Sequence, residues 1–315
     1  MTGAEGRRAT IGRALREAAG RLAASSDSPD LDAQLLLAEV LGLERPGLLA
    51  RLGDALPAAA LEPFASLVDR RASGEPVAYL LGRAWFHGLS FVVSPAVLIP
   101  RPETELLVDW GLAWLAARER TLPAPRVLDV GTGSGAIIVA LAHAWRERFP
   151  PAAGRPEPRW LAVDLSAAAL AMARENARRL VPEASISFAH ADLWPGDLAE
   201  AAAGPTVPAT YDLVLANLPY VGTDEVELLA PDVRDHEPHQ ALFAGPDGLG
   251  CIRRLIAGLQ GRLAAGGAVG LEVGWTQADE VARTLAAALP GTAVEVRRDL
   301  AGIGRLVVAE TRELR

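Results

Sequence analysis

One stretch restricts the fold more than any other. The apolar run Arg126-Val127-Leu128-Asp129-Val130 passes directly into Gly131-Thr132-Gly133-Ser134-Gly135, and then into an apolar segment from Ala136 to Trp145. A short apolar run bounded by glycines reads as a strand, and a longer run reads as a helix. The alternation that starts near Thr104 continues to the end of the chain. Helices are expected over Leu106–Arg118, Ala136–Trp145, Ser166–Leu180, Leu249–Ala264 and Thr276–Leu289. Strands are expected over Arg126–Val130, Trp160–Asp164, Ile186–His190, Tyr211–Ala216, Ala268–Val273, Val294–Arg298 and Arg305–Glu310. Strands separated by helices imply an α/β fold with a mostly parallel, doubly wound sheet. The last two strands read as a hairpin that adds an antiparallel edge. Residues 146–159, rich in Pro, and 199–210, rich in Ala, read as surface insertions.

Upstream the texture differs. Residues 7–75 carry apolar positions at helical spacing, with Ile11, Leu15, Ala18 and Leu22 on one face. Ser28-Pro29-Asp30 reads as a helix start capped by Ser28, Gly42 as its stop, and Ala58–Arg71 as a further helix. The expected division is a helical bundle over 1–75, a β-hairpin linker over 76–102 and an α/β domain over 103–315. The linker reading rests on short aromatic, glycine-punctuated runs: Val77–Gly82, Ala84–Gly88, Leu89–Val93 and Val97–Ile99.

With 315 residues, half of them hydrophobic, the chain has material for a sizeable core. Its net charge of −8 argues against broad binding to phosphate backbones. No stable nucleic-acid partner is expected, and a monomer is favoured. The single cysteine, Cys251, excludes an intramolecular disulfide and a cysteine-based metal cluster. His236 and His239 lie three apart in a proline-flanked segment read as a loop, so no metal is assigned. The sequence has no run suited to a signal peptide or a membrane span, and a cytoplasmic location is expected.

The glycine turn lets a ligand approach the backbone, and the helix behind it offers free N–H groups to an anion. Dinucleotide folds use a related turn, but the spacing here is G-x-G-x-G and an acidic residue precedes it on the strand. That combination favours S-adenosylmethionine over a nicotinamide dinucleotide. Asp164 ends the next strand, where a carboxylate can bind both ribose hydroxyls. Asp192, after the third strand, can receive an adenine amino group, and Leu193 can cover the ring.

The run Tyr211–Ala216 ends in Asn217-Leu218-Pro219-Tyr220. An amide or aniline-like nitrogen is a poor nucleophile because its lone pair is delocalised. Two carbonyl oxygens that accept its N–H bonds out of plane aim the lone pair elsewhere. Asn217 Oδ1 and the Leu218 carbonyl are placed to do this, Pro219 stiffens the turn, and Tyr220 can stack on the acceptor. These residues predict methyl transfer to nitrogen, with catalysis chiefly by orientation and electrostatic preorganisation. By themselves they leave protein glutamine, DNA adenine and RNA adenine open.

Asn-Leu-Pro-Tyr resembles the amino-methyltransferase signature usually written with Pro-Pro, and also the motif of ribosomal RNA adenine dimethyltransferases. Residues outside it carry a more specific resemblance. Val97-Leu98-Ile99-Pro100-Arg101-Pro102-Glu103-Thr104-Glu105 is similar to the peptide chain release factor glutamine N5-methyltransferases. So are Glu75–Gly82 with Phe86, Gly88 and Phe91, the segment from Glu237-Pro238 to Asp247-Gly248-Leu249, and Asp299–Gly302 with Arg305. The resemblance covers essentially the whole chain. It implies a seven-stranded Rossmann-like methyltransferase fold acting on the glutamine of the Gly-Gly-Gln motif in release factors. S-adenosylmethionine would be the donor and S-adenosylhomocysteine the product; adenine-N6 methylation of RNA or DNA is the alternative. By motif, Gly131, Thr132, Gly133, Ser134, Gly135, Asp164, Asp192, Leu193 and Asn217 would hold the donor. Asn217, Leu218, Pro219 and Tyr220 would hold the glutamine, with Arg101 and Glu103 in the Arg101-Pro102-Glu103-Thr104 loop closing one side of the pocket. The bundle would help engage the release factor. Leu218 stands where the family usually has Pro, and Leu193 where it often has an aromatic.

Overall fold

The computed structural model describes residues 10–150, 157–195 and 210–311. Of the two expected insertions, 199–210 falls almost wholly outside them; within 146–159, residues 151–156 lie outside, Arg146–Arg148 belong to a helix and Arg159 to a strand. The chain forms two compact units: one of residues up to Arg83 together with Ala230–His236, the other of Ala84–Leu229 and Glu237 onward.

In the first unit, α1 (Ile11–Leu22), α2 (Pro29–Leu41), α3 (Arg45–Leu49), α4 (Ala58–Ala72) and α5 (Val77–Leu81) pack around Leu15, Leu22, Leu36, Leu37, Leu48, Phe64 and Val68. Gly42 ends α2 in the left-handed conformation (φ 62°), as its stop role requires. Ser28 precedes α2, but its side chain does not cap the helix. Its hydroxyl instead donates to Asp32 Oδ1 at 3.3 Å, because Asp32 is the buried hub of the bundle. Ser26 and Arg71 also donate to Asp32, at 2.7 and 2.8 Å. Val77–Leu81, read from sequence as strand, is helical. Pro76 starts the turn, Gly82 (φ 65°) stops it, and Leu80 and Leu81 join the bundle's apolar core.

The second unit opens with a hairpin, β1 (Arg83–Phe86) and β2 (Leu89–Val92). Asn176 clamps β2 by accepting from Val92 N–H and donating to Val92 O. Residues Val97–Ile99 belong to no strand. After a 3-10 turn, Pro102–Thr104, comes α6 (Glu105–Arg118). The sheet is built from β3 (Arg126–Val130), β4 (Arg159–Asp164), β5 (Ile186–His190), β6 (Tyr211–Ala216), β7 (Leu263–Glu272), β8 (Ala293–Arg298) and β9 (Gly304–Glu310). Its order is β5-β4-β3-β6-β7-β9-β8. The first five strands run parallel, and β9 and β8 pair antiparallel at one side. The expected seven-stranded, doubly wound sheet with a terminal hairpin is therefore present.

Helices α7 (Ala136–Arg148), α8 (Ala167–Leu180), α11 (Gly250–Ala257) and α12 (Ala278–Ala288) cover the sheet. The segment expected as one helix over Leu249–Ala264 ends at Ala257. Gly258 caps it, and a Cβ there would lie 2.1 Å from Trp194 Nε1, so only glycine fits against the indole at the helix end. From Leu263 the chain is already in β7. The segment around the two histidines is helical on both sides: α9 (Pro231–His236) and α10 (His239–Leu242). No helix among the described residues is long and apolar enough to cross a membrane.

Candidate active site

In an open α/β sheet, ligands bind beyond the carboxyl ends of the strands where the strand order reverses. Here that point lies between β3, which leads outward to β4 and β5, and β6, which leads the other way. A cavity of about 490 Å³ occupies it. Its lining includes Gly131–Ser134, Asp164, Asp192, Leu193, Asn217–Pro219, Arg101 and Thr104.

The donor side is built by the β3–α7 turn. Gly131 and Thr132 N–H both donate to Val163 O, at 2.9 and 3.0 Å, which ties the turn to β4. Gly131 has φ 73°, and a Cβ there would meet Leu218 Cδ2 at 2.8 Å. Gly133 has φ 55° with nothing within 4 Å of its Cβ position, so its face is open space for a ligand. Gly135 is the helix cap rather than a lining residue. Asp129 sits fully buried beneath the turn and accepts the Thr132 hydroxyl at 2.6 Å. Burial pushes its carboxyl up to about 7, against the opposing hydrogen bond from Thr132.

Asp164 accepts Gly133 N–H and Ser166 N–H, each at 2.8 Å, one on each oxygen. Burial raises its pKa and these bonds counter the rise. The carboxylate is thus fixed at the end of β4 with remaining lone pairs for a diol. Asp192 is paired with Arg254 at 2.8 Å, and Leu193 is held at φ 72°, an uncommon state for a branched residue. An open glycine face, a fixed carboxylate and an apolar cover in one cavity fit a nucleoside-bearing amino acid such as S-adenosylmethionine.

On the acceptor side, β6 ends at Ala216 and the chain leaves the sheet through Asn217. Asn217 Nδ2 donates to Thr104 Oγ1 at 3.0 Å, so Oδ1 is the acceptor the amide presents elsewhere. The Leu218 side chain is buried against the glycine turn, and the residue lines the cavity. Tyr220 is not among the lining residues. Its ring packs on the apolar cluster that includes Leu249 and Val273, and its phenol is pushed up to about 12, first by burial and then by Glu272. Its carbonyl accepts Gln277 Nε2 at 2.8 Å. Arg101 lines the cavity and pairs with buried Glu237, whose other oxygen accepts Ile99 N–H at 3.2 Å. Glu103 is exposed and outside the lining.

Sequence reasoning placed Thr104 only in the loop closing the pocket, and missed Glu237, Glu272 and Gln277. Thr104 and Glu237 stood inside quoted motifs, but only the fold brings residues 104, 217 and 272 together.

The PrmC N-terminal domain matches residues 13–82. Over 287 residues the chain is 43% identical to a release factor glutamine methyltransferase of Bordetella pertussis, covering 90% of this chain and 96% of that one. It is 40% identical over 308 residues to the enzyme of the same name from Moorella thermoacetica, covering 96% and 99%. Among solved structures, the hMettl16 catalytic domain in complex with a MAT2A 3′UTR hairpin has a TM-score of 0.51 at 16% identity. It covers 78% of this chain and 81% of that one, and this likeness shows the methyltransferase fold alone.

Proposed function

Because this chain belongs to the release factor glutamine methyltransferases, we propose that the cavity between the β3 turn and Asn217 is where the glutamine of a release factor is methylated. The reaction is transfer of a methyl group from S-adenosylmethionine to the side-chain amide nitrogen of the Gly-Gly-Gln glutamine. One observation carries the residue assignment. Asn217, oriented by Thr104, faces the same cavity as Gly133 and Asp164.

The donor supplies a methyl group on a sulfonium and departs as the neutral thioether S-adenosylhomocysteine. The chain's part is placement. Asp164 takes the ribose hydroxyls, the Gly131–Gly135 turn the amino-acid end, and Asp192 with Leu193 the adenine. Asn217 Oδ1 and the Leu218 carbonyl accept the two N–H bonds of the substrate amide and hold it so that its lone pair points along the methyl–sulfur axis. The new N–C bond forms as the C–S bond breaks with its electron pair going to sulfur. The nitrogen, now acidic, releases a proton to solvent, so no strong base is needed. Pro219 restricts the turn. Tyr220, held through its carbonyl by Gln277, supports the turn from behind. Arg101, paired with Glu237, walls the entrance, with Glu103 on its outer side. The helical bundle engages the release factor, and the α/β domain over 103–315 carries the chemistry. The protein acts as a cytoplasmic monomer without a stable nucleic-acid partner.

The test is incubation with S-adenosylmethionine and either release factor or ribosomal RNA, followed by mass spectrometry of the release factor peptides. A gain of one CH₂ on the Gly-Gly-Gln peptide is expected. Label in RNA with none in the protein would establish adenine methylation instead.

A further inference from the structure

Glu272 is the last residue of β7, and 4% of it is exposed. The parallel register pairs Ala216 with Leu271, so the next residues, Asn217 and Glu272, leave neighbouring strands side by side. Thr104, 3% exposed, stands between them. It occupies the N-cap position of α6, yet its hydroxyl makes no cap hydrogen bond. It accepts from Asn217 Nδ2 at 3.0 Å and faces the Glu272 carboxyl, whose charged form it stabilises by hydrogen bonding. Glu272 Oε2 is buried with no partner.

We propose that Glu272, acting through Thr104, fixes the carboxamide of Asn217 in the one orientation that presents Oδ1 to the substrate nitrogen. The inference rests on the glutamine-methylation reading and assigns two positioning residues to it.

A hydroxyl has a single proton. In the proposed arrangement that proton turns to Glu272, so Thr104 offers Asn217 only lone pairs, and only the NH₂ end of the amide fits them. Without an acceptor at 272, the hydroxyl proton can turn to Asn217. The amide can then flip and set its NH₂ against the substrate's NH₂, donor against donor. The arrangement is costly in stability, as expected of a functional rather than a structural carboxyl. Burial pushes Glu272 up to about 7. The neighbouring charges divide: Glu103 raises its pKa, while Arg305 and Arg101 lower it. Tyr220 also faces it.

The proposal separates activity from stability. The variants are Thr104→Val, Thr104→Ser and Glu272→Met, assayed on the full-length protein with release factor at saturating S-adenosylmethionine. Donor affinity is measured by calorimetry and melting temperature at pH 8. Thr104→Val and Glu272→Met are expected to lower kcat by about tenfold or more, because orientation is what they remove. Donor affinity should stay within about threefold, since the relay makes no donor contact. Thr104→Ser keeps the hydroxyl and should retain kcat within about threefold. Glu272→Met should melt at or above the parent's temperature, since a buried carboxylate with one oxygen left without a partner is gone.

A Glu272→Met protein that keeps the parent's kcat overturns the proposal. A kcat loss that comes with a lower melting temperature, and that Thr104→Ser shares, assigns a structural role and overturns it equally. Should Thr104→Val fail to fold, Glu272→Met decides alone. If the parent itself leaves release factor unlabelled, the glutamine reading is what has failed, and the inference falls with it.

Discussion

Asn217 sits where two requirements meet: it must point one amide end at Thr104 and the other into the cavity. Asn217→Ala removes an acceptor aimed at an N–H bond that becomes more polar as the methyl group arrives. The expected result is a fall in kcat of about 10² or more, the scale on which preorganised hydrogen-bond partners act. Equilibrium binding of S-adenosylmethionine should weaken far less, because Asp164 and the glycine turn lie on other strands. A variant that methylates release factor at the parent rate would remove Asn217 from the mechanism. Asn217, Asp164 and the glycines stood out in the sequence because each lies at the end of a strand or in the turn after it, where the cavity gathers them. Thr104 was hidden in a segment that reads as a polar linker. Its hydroxyl gains a role only when β6 and β7 are aligned by the sheet register.

At the scale of elements, the turn at Gly248 shows how local conformation and site geometry are coupled. Gly248 has φ 69°, and a Cβ there would lie 2.1 Å from Tyr220 O and 2.8 Å from Gln277 Nε2. Gly248→Ala therefore strains its own backbone and displaces the acceptor turn. A loss of about 2 kcal/mol or more in unfolding free energy is expected, with a fall in kcat, measured by denaturant titration and methyl transfer. In the helical unit the comparable element is the Asp32–Arg71 pair, both 6% exposed, with Ser26 and Ser28 on the same carboxylate. Arg71→Met leaves that carboxylate buried without its cation and should cost about 3 kcal/mol. Replacing both partners with apolar residues should cost less, which a double-mutant cycle would reveal. These elements also mark where sequence reading fell short. Helical spacing located α1, α2 and α4, and the strands of the sheet came out within a few residues. The breaks that were missed depend on distant partners: Trp194 packs where a side chain at 258 would stand, at the end of α11, and the bundle core draws Val77–Leu81 into a helix. No local propensity reports such contacts.

At the scale of the whole molecule, two carboxyl groups tie folding to pH. Burial pushes both Asp129 and Glu272 up to about 7, well above their ordinary values. Each group in the folded protein therefore holds its proton more tightly than in the unfolded chain. Between roughly pH 4 and pH 7 the folded state binds more protons, so raising the pH withdraws stability. Below the unfolded pKa both states are protonated and the penalty is absent; above about pH 7 both are ionised and the penalty is complete. The contribution of these two groups is a melting temperature that declines from about pH 5 to pH 8, opposite in sign to that of paired surface carboxylates such as Asp247, whose pKa is lowered. Asp129→Asn keeps the shape and an acceptor for the Thr132 hydroxyl while removing the charge. Its melting temperature, followed by calorimetry across that window, should match the parent's near pH 5 and exceed it near pH 8. A parallel decline in both proteins would show that Asp129 reaches neutral pH ionised at no cost. The beneath-the-turn carboxylate would then be stabilised by Thr132 and the first turn of α7 rather than tolerated by them.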